Sequence, residues 1–369
     1  MRTLSGLWHS IQRSLFPFLE EEFDPLTEMQ MKFVAVLELM DPKPFLAGYG
    51  WCGNGRPPKD RVDLFRAFVA KAVYDFTTTE ALLEQLRTSK NLRRLCGWEN
   101  SYDVPSPATF SRVFAEFAES GVLAEIHAQM IRTYYGDKLA GHVSRDSTAI
   151  KAREKAVKKV KPPKEEKPKR KGGRPRKGER PKPKDPTRIE LQPGRSLEEN
   201  LADLPTACDI GAKKNSKGHK ECWIGYKLHA DVVDGGIPVS VVITSASTHD
   251  SQVAIPLAQM TQSRVTSLYD LMDKAYDAAG IWKASAGMEH VPIIEKIRRR
   301  KDAPPMAPAE RPRFGERTTI ERVFSLLKDN QGGKHVRVKG AKKVMAHLMF
   351  GMLVVTATQL FRLLPYATL

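Results

Sequence analysis

Apolar side chains recur at every third or fourth position through the first third of the chain, which is the spacing of one buried face of an α-helix. The helices that this spacing predicts cover residues 26–40, residues 58–75, a stretch that ends near Leu86, and a stretch that begins at Ser106-Pro107. Gly55-Arg56-Pro57-Pro58 marks the start of the second helix, and Thr77 with Glu80 has the spacing of a capping box for the third. We therefore predict a compact all-helical domain over residues 1–135.

The last two of these helices are joined across residues 97–105, an order that is typical of a helix-turn-helix pair. Thr109, Ser111 and Arg112 lie near the leading end of the second helix, where such a pair reads DNA. A helical dimerisation or scaffold domain would have the same pattern. The pattern alone leaves both functions open.

From His142 onward the apolar period changes to two, which is the alternation of a β-strand. Val233-Asp234-Gly235-Gly236 is a hairpin signal between the second and third predicted strands. Predicted strands cover 141–146, 222–232, 237–244, 266–272 and 291–296, and predicted helices cover about 250–262, 277–286 and 316–330. An all-helical region followed by strands and helices predicts the α/β (α+β) class.

The positive charge of the chain is concentrated in one segment. The formal net charge is +17, and residues 151–188 hold 18 Lys/Arg against 5 Asp/Glu, so this segment alone carries +13. Residues 151–203 are too poor in apolar side chains to pack, and we predict a flexible basic insertion within a domain formed by 140–150 and 204–365. Such a segment suits a polyanion such as DNA, although a membrane surface or an acidic protein would also attract it.

The centre of this insertion contains Gly173-Arg174-Pro175, which resembles the core of an AT-hook. In that motif an extended Arg-Pro backbone enters the narrow minor groove of A·T-rich DNA, where the negative potential is deepest. Arg174 and Arg176 are therefore candidate DNA contacts. Plain attraction to phosphates, or a solubilising linker, is the alternative interpretation.

The cysteines and the apolar runs indicate a protein of the cytoplasm. Cys52, Cys96, Cys208 and Cys222 show no paired spacing and no secretory signal precedes them, so we expect reduced thiols. The apolar stretch at 348–361 is shorter than the roughly 20 residues that span a bilayer. We predict that it is a buried core helix and that the protein does not bind a membrane.

Three short stretches that contain a carboxylate carry the candidate chemistry. Asp146 ends one predicted strand, Asp273 ends another, and Glu321 lies within the last predicted helix. Two strand ends and a helix can converge on one cluster of side chains. Three converging carboxylates would make a site for a divalent metal ion.

Arg317, Glu321 and Lys328 share one face of the last predicted helix. At roughly 100° per residue, Arg317 and Glu321 are about 40° apart, and Glu321 and Lys328 are about 20° apart. An ordinary exposed, salt-bridged face has the same spacing. A functional face is favoured because the opposite side of the helix is apolar, with Val323, Phe324, Leu326 and Leu327.

The spacing of these residues resembles that of the DDE transposases of bacterial insertion sequences. Their third-carboxylate helix reads Tyr, two residues, Arg, three residues, Glu, six residues, Lys. This chain differs only in having Phe for Tyr, since the four positions hold Phe314, Arg317, Glu321 and Lys328. The similarity covers most of 55–365 and runs further through Gly225-Tyr226-Lys227-Leu228-His229, Ala246-Ser247-Thr248-His249-Asp250-Ser251 and Asp273-Lys274-Ala275-Tyr276.

The resemblance implies a ribonuclease H-like catalytic core, in which the first strand, the fourth strand and a later helix each supply a carboxylate. It implies a transposase that binds the terminal inverted repeats of its element, cleaves a strand to expose a 3′-OH, and joins that hydroxyl to target DNA. Asp146, Asp273 and Glu321 would be its catalytic residues and the ligands of two Mg²⁺ or Mn²⁺ ions. By analogy, Arg112 and the N-terminal helices would contact DNA. We expect a nucleoid-associated bacterial protein that acts as a homodimer on double-stranded DNA.

Residue chemistry alone supports only a metal-dependent phosphodiesterase. A nuclease that never joins strands is therefore the enzyme alternative, and a test for 3′-end joining separates the two. A non-catalytic DNA-binding relic is the alternative from another class, and metal-dependent nicking of DNA would dismiss it.

Several neighbouring residues are candidates for supporting roles. Arg317 and Lys328 are expected to reach phosphates, the Arg bidentately and the Lys as a point charge. Lys227, on a predicted strand, is a candidate DNA contact. His249 and Tyr276 either line the active site or serve as a structural His and a packed Tyr.

Asp250, Asp270 and Asp277 compete with the three carboxylates for the metal. Asp250 follows Thr248 at a predicted helix start, which favours a capping role. Asp270 lies three positions from Asp273 and therefore faces the other side of the strand. Asp277 lies beyond the end of that strand.

Overall fold

The computed structural model describes residues 4–51, 53–55, 57–158, 185–214, 218–297 and 305–364. Outside the described residues lie Cys52, Arg56, the Gly173-Arg174-Pro175 motif and Arg176.

Helices occupy the chain before the first strand. They are α1 (Leu4–Ser10), α2 (Phe16–Glu22), α3 (Glu28–Met40), α4 (Lys43–Leu46), α5 (Arg61–Val73), α6 (Thr79–Thr88), α7 (Lys90–Leu95), α8 (Pro107–Ser120) and α9 (Val122–Tyr134). The predicted start of α8 is confirmed, because the hydroxyl of Ser106 accepts a hydrogen bond from the N–H of Thr109. The helices predicted over 26–40 and 58–75 correspond to α3 and α5.

Two predicted helix starts are shifted to a neighbouring cap. α5 begins at Arg61, because the Asp60 carboxylate accepts from two of the first free N–H groups of the helix. Thr78, not Thr77, caps α6 by accepting from the N–H of Ala81. Local spacing identified the turn in both cases and missed the cap by one to three residues.

Helices α7 and α9 were not predicted. α7 is a short helix capped by Ser89, whose hydroxyl accepts from the N–H of Leu92. α9 follows α8 through Gly121 alone, and the φ of 73° at Gly121 is the left-handed conformation that ends a helix. The close succession of the two helices hid the break, because the apolar period continues almost without interruption.

One mixed sheet of six strands follows in the described residues. The strands are β1 (Leu139–Lys151), β2 (Asp209–Lys214), β3 (Lys220–Val233), β4 (Ile237–Ser245), β5 (Thr266–Met272) and β6 (Val291–Ile294). β3 is antiparallel to β1, β2 and β4, whereas β5 runs parallel to both β1 and β6. The central strand β1 therefore lies between β3 and β5.

The predicted strands are all present, and the bounds predicted for β5 agree with the structure. The predicted hairpin joins β3 to β4, with the N–H of Gly236 donating to the carbonyl of Val233. β1 is longer than predicted, because its pairing with β3 continues to Lys151. Asp146 therefore lies inside β1 and not at its end. β2 was missed, since its six residues carry only Ile210 and Ala212 as apolar side chains.

The remaining helices pack on or beside this sheet. They are α10 (Arg188–Leu191), α11 (Leu197–Ala202), α12 (Ala254–Gln262), α13 (Ala279–Gly287), α14 (Glu310–Gly315), α15 (Thr318–Asn330) and α16 (Ala341–Arg362). α12, α13 and α15 correspond to the helices predicted over 250–262, 277–286 and 316–330.

Part of the predicted flexible insertion is folded. Residues 188–202 form α10 and α11, which begin with capping boxes at Thr187 and Ser196. Leu197 and Leu201 of α11 pack into a small apolar cluster with residues of α12. The prediction for 151–203 is therefore wrong for this part, because a few well-spaced apolar residues are enough to dock two short capped helices.

The C-terminal helix α16 is a core element, as predicted for 348–361. It is longer than expected, with 22 residues, and it is apolar and long enough to cross a membrane by length and composition alone. Yet 83% of its most apolar window is buried inside the protein. It contacts α3, α5, α8, α9 and β4, so one continuous apolar core joins the N-terminal helices to the sheet.

Candidate active site

Asp146 and Asp273 are neighbours because their strands are adjacent and parallel. In the pairing of β1 with β5, Arg145 is opposite Met272, and the two aspartates are the next residue of each strand. Asp273 follows the last residue of β5, and its Oδ1 accepts from the N–H of Ala275 at 2.8 Å, which turns the chain away from the sheet. The two carboxylates are close enough for their charges to repel each other.

Three side chains at the start of α15 and along it lie on one face, and two of them bond to β1. Arg317, the residue before α15, donates from Nη1 to Asp146 Oδ2 at 2.7 Å and from Nη2 to Glu321 Oε1 at 3.2 Å. Lys328 Nζ donates to Thr148 Oγ1 at 2.5 Å, two residues along β1 from Asp146. The prediction that Arg317, Glu321 and Lys328 share a face is therefore confirmed, and Arg317 bridges two of the three candidate carboxylates.

Burial and crowding make both aspartates harder to ionise. The pKa of Asp146 is raised to about 6, chiefly because burial penalises the charged carboxylate and also because Asp273 repels it. The N–H of Ser147 and the guanidinium of Arg317 oppose this rise without cancelling it. The pKa of Asp273 is also raised, mainly by burial, with repulsion from Asp250 adding to the effect. A further cation at this position would relieve that repulsion.

Asp250 belongs to this site, and its predicted capping role is wrong. It is the first residue of a 3₁₀ turn (Asp250–Gln252), and its side chain accepts hydrogen bonds from other elements. Ser147 Oγ donates to Asp250 Oδ1 at 2.8 Å, and Lys227 Nζ donates to the same oxygen at 3.0 Å. Asp250 therefore ties β1 and β3 together beside Asp146.

At pH 7 the positive charge beside Asp250 is that of Lys227. Burial alone would raise the pKa of Asp250, yet that pKa is lowered by the charges of His229 and Lys227 and by the hydrogen bonds that Ser147 and Lys227 donate. The neighbouring His229 is neutral at pH 7, because burial lowers its pKa to about 4. Lys227 also donates to the carbonyl of Thr248 at 2.9 Å. Two of its three ammonium donors are thus engaged inside the protein, which leaves little of the side chain for the predicted DNA contact.

Tyr276 lies in the same surroundings and is fully buried. Its pKa is raised well above the ordinary value, first by burial and then by the charges of Asp250, Asp146 and Asp273. His249 differs, since its Nδ1 forms a hydrogen bond of 2.8 Å with the hydroxyl of Ser251. The negative charges of the carboxylates therefore act on Tyr276. His249 is instead hydrogen-bonded within its own turn.

The other two competing aspartates have structural partners. Asp270 faces the opposite side of β5, as strand parity predicts, and accepts from Ser285 Oγ at 2.8 Å. Asp277 accepts from the indole N–H of Trp282 at 3.2 Å and from the N–H of Ile297 at 2.9 Å.

A buried ion pair that the sequence analysis missed holds the strands behind the site. Arg145 donates from Nε and Nη2 to the two carboxylate oxygens of Asp231, at 2.8 and 2.7 Å, and its Nη2 lies 3.9 Å from Asp270 Oδ1. All three side chains are at most 1% exposed. Arg145 Nη1 also contacts the sulfur of Met272 at 3.5 Å. A charged residue directly before Asp146, inside a predicted strand, was the feature of the sequence that could have indicated this buried pair.

The donor set suits a hard divalent cation, although the side chains are not gathered around one. Among the described residues, no three His, Cys, Asp or Glu side chains are grouped closely enough to hold a metal ion. Asp146, Asp273 and Glu321 offer only carboxylate oxygens, which Mg²⁺ and Mn²⁺ prefer. Burial raises the pKa values of both aspartates, and repulsion from neighbouring carboxylates adds to the rise. Glu321 is 59% exposed, and among the described residues its carboxylate is bound by Arg317 alone, so packing does not fix it.

The remaining candidate DNA contacts are separate from this cluster. Arg112 is exposed on α8, in a groove that also includes Lys59 and Tyr102. Arg174 and Arg176 lie outside the described residues.

Two family models match the chain. The one described as Transposase DDE domain matches residues 138–356, and the one described as Transposase domain (DUF772) matches residues 19–116. The first match covers more than half of the chain, from the residue before β1 into α16, and it includes Asp146, Asp273 and Glu321. Comparisons with curated proteins and with solved structures found no match.

Proposed function

The chain belongs to the family of transposases that carry a DDE domain, and we propose that it cuts DNA at the ends of a mobile element and joins the freed 3′-OH to target DNA. The observation that supports this most directly is the approach of Asp146, Asp273 and Glu321 from β1, β5 and α15, with Arg317 between two of them. The order of elements also supports a ribonuclease H-like core, since β1 lies between β3 and β5 and the late helix α15 packs on it.

Asp146, Asp273 and Glu321 would hold two Mg²⁺ or Mn²⁺ ions. Such ions, when bound, activate the attacking oxygen and stabilise charge on the leaving oxygen of a phosphodiester. Asp146 lies between the other two carboxylates, because it neighbours Asp273 across the sheet and shares Arg317 with Glu321. It is therefore the residue suited to contact both ions.

The basic residues of α15 would position the DNA. Arg317 can bind a phosphate with two parallel N–H groups, and its position beside Asp146 would place that phosphate at the carboxylates. Lys328 would act as a point charge one step further along β1, at Thr148. Asp250 with Lys227 would keep Ser147, and with it β1, at a fixed distance from the turn after β4.

The same proposal sets the partners and the place of action. The substrate is double-stranded DNA with the terminal inverted repeats of the element, together with target DNA. Joining two ends requires two active sites, so we propose a homodimer when active. The protein would act on the nucleoid, in the cytoplasm of a bacterium.

The test uses the purified chain and a linear DNA that carries the natural sequences flanking the coding region on both sides. We expect Mg²⁺-dependent nicking at the ends of the element and covalent joining of the 3′ ends to a supercoiled plasmid. Glu321→Gln should reduce nicking at least roughly 100-fold and leave DNA binding within a few-fold, because a neutral amide weakens a metal ligand without changing the helix. Glu316→Gln, an exposed acid five positions earlier, is the matched control and should leave nicking unchanged.

Each other outcome selects a different function. Nicking without joined products would identify a nuclease that does not transfer strands. Binding without any metal-dependent cleavage by the unaltered chain would identify a non-catalytic relic. Full activity of the Glu321→Gln protein would show that the third carboxylate is wrongly assigned.

A further inference from the structure

Four exposed basic side chains lie on two chain segments that meet beside the candidate active site. We call them the basic surface: Lys151, Arg153 and Lys155, on the segment that leaves β1, and Lys339, on the loop between α15 and α16. In the described part of the chain, none of the four forms an ion pair with a carboxylate.

The first segment is held against the sheet and is not a free tether. The N–H of Ala152 donates to the carbonyl of Ile224 at 3.0 Å, and the N–H of Val157 donates to the carbonyl of Cys208 at 2.8 Å. These two bonds attach residues 152–157 to β3 and to the chain that enters β2. The side chains between them therefore project from a fixed backbone.

Glu154 joins the two segments. Its Oε1 accepts from the hydroxyl of Tyr226 at 2.6 Å and from the N–H of Gly340 at 3.2 Å. The residues on either side of Glu154 are thereby placed next to Lys339. Glu154 is also the only acid between 151 and 158, and its carboxylate is used within the fold. Both donors are neutral, so Glu154 keeps its negative charge, and the four basic side chains together with Glu154 carry a formal net charge of +3.

Lys328 connects this surface to the carboxylates. It donates to Thr148, which lies three residues before Lys151 and two after Asp146 on the same strand. Its pKa is lowered, first by burial and then by the neighbouring positive charges of Lys213 and Lys151. The positive charge is thus continuous from Lys328 to the end of β1, and the cations repel one another.

We propose that the basic surface binds the phosphate backbone of duplex DNA and leads it along β1 toward Asp146. This inference rests on the proposed function and adds to it a path for the DNA. Like charges held this close by a rigid backbone favour a polyanion, which neutralises them. The rigidity also helps binding, because less conformational freedom is lost than with a disordered segment.

The test measures how the affinity of the full chain for DNA depends on salt, with a 30-base-pair duplex of arbitrary sequence and no divalent ion. Each phosphate contact contributes about 0.9 to the slope of log K against log salt. Replacing all four residues (K151Q, R153Q, K155Q, K339Q) should therefore lower the magnitude of the slope by up to roughly 3.6. The matched control also removes three lysines and one arginine, all exposed and none of them part of the basic surface: K43Q, K138Q, K283Q and R13Q. It should change the slope by less than about 1.

The outcomes separate this inference from the proposed function. If the unaltered chain binds no duplex at all, the proposed function fails. If it binds and the two fourfold variants have equal slopes, only the basic surface is wrongly assigned. Val157 and Ile224 expose apolar side chains nearby, so vesicles with anionic lipid are a second probe. Loss of vesicle binding, with DNA binding unchanged in the variant, would overturn the proposal in favour of a membrane contact.

Discussion

Removing one partner of the buried ion pair behind the candidate active site should destabilise the protein strongly, whereas removing all of its charges should destabilise it only slightly. Breaking a buried pair costs about 3–5 kcal/mol, since the remaining charge stays in a medium of low polarity. Arg145→Met leaves two buried carboxylates, Asp231 and Asp270, without their cation. We therefore expect a loss of about 5 kcal/mol in the free energy of unfolding, the upper end of that range.

Asp231→Leu is the informative comparison. It leaves Arg145 buried, but Asp270 Oδ1 remains 3.9 Å from the guanidinium and compensates part of its charge. The expected loss is therefore nearer the lower end, about 3 kcal/mol. The hydroxyl of Thr261, which donates to Asp231 at 2.7 Å, loses a hydrogen bond as well. Replacing all three charges together, with R145M, D231L and D270L, should bring the free energy of unfolding to within about 2 kcal/mol of the unaltered chain.

Urea denaturation of the full chain at pH 7 measures these values, and a nicking assay shows what the ion pair does for the site. We expect the triple variant to fold and yet to nick DNA at least roughly tenfold more slowly, because the strands that carry Asp146 and Asp273 are no longer fixed by Arg145. A loss below about 1 kcal/mol for Arg145→Met, or a larger loss for Asp231→Leu than for Arg145→Met, would refute the reasoning.

The remaining predictions concern pH, backbone and charge. Protons compete with Mg²⁺ for Asp146, whose pKa is raised to about 6, so the rate of nicking should fall below about pH 6. A higher Mg²⁺ concentration should shift that fall to lower pH, and a fall whose midpoint does not change with Mg²⁺ would contradict this. The raised pKa of Asp146 also means that folding disfavours the charged carboxylate, so the free energy of unfolding falls as pH rises from about 4 to 6. The D146N protein should therefore be more stable than the unaltered chain at pH 7, although we expect it not to nick DNA. A difference in stability between the two proteins that does not depend on pH would count against burial as the cause. Gly225→Ala should reduce the yield of folded protein, measured by circular dichroism, because φ is 150° at Gly225 and an added Cβ would lie 2.1 Å from the carbonyl oxygen of Ile150. Gly287→Ala is the control and should fold normally, because a Cβ added there would meet nothing within 4 Å. Deleting 159–184 should flatten the salt dependence of DNA binding and leave the melting temperature of the protein unchanged. Aggregation of the shortened protein would show that this segment has a structural role.

The sequence was most informative where a property is local. The bounds of β5 follow from a period of two over seven residues, and the shared face of Arg317, Glu321 and Lys328 follows from helix geometry alone. Both are set by the backbone and do not depend on distant partners. Helix geometry also predicted the direction in which the charges point, because the opposite side of α15 had to be buried.

The errors occurred where the deciding partner is distant in the chain. Thr248 before Asp250 suggested a helix cap, whereas the carboxylate is bound by Lys227 and by Ser147, which lie 23 and 103 residues away. The end of β1 was predicted at Asp146 because the apolar alternation ends there, and the residues that follow, Ser147 and Thr148, are polar. No local pattern reveals that those polar side chains have partners on other elements.

That run of polar residues also links the fold and the proposed chemistry to the same strand. Ser144 to Thr148 are five consecutive polar residues in the central strand of a sheet, where an unsatisfied polar group is costly. Each is bound by a different group, since the partners are Glu316, Asp231, Arg317, Asp250 and Lys328. A substitution in this strand therefore removes a candidate catalytic or positioning group and a structural contact at once. Glu321 is more exposed than Asp146, at 59% against 22%, and Arg317 is its bonded partner, so a change there tests the chemistry with the smallest effect on the fold.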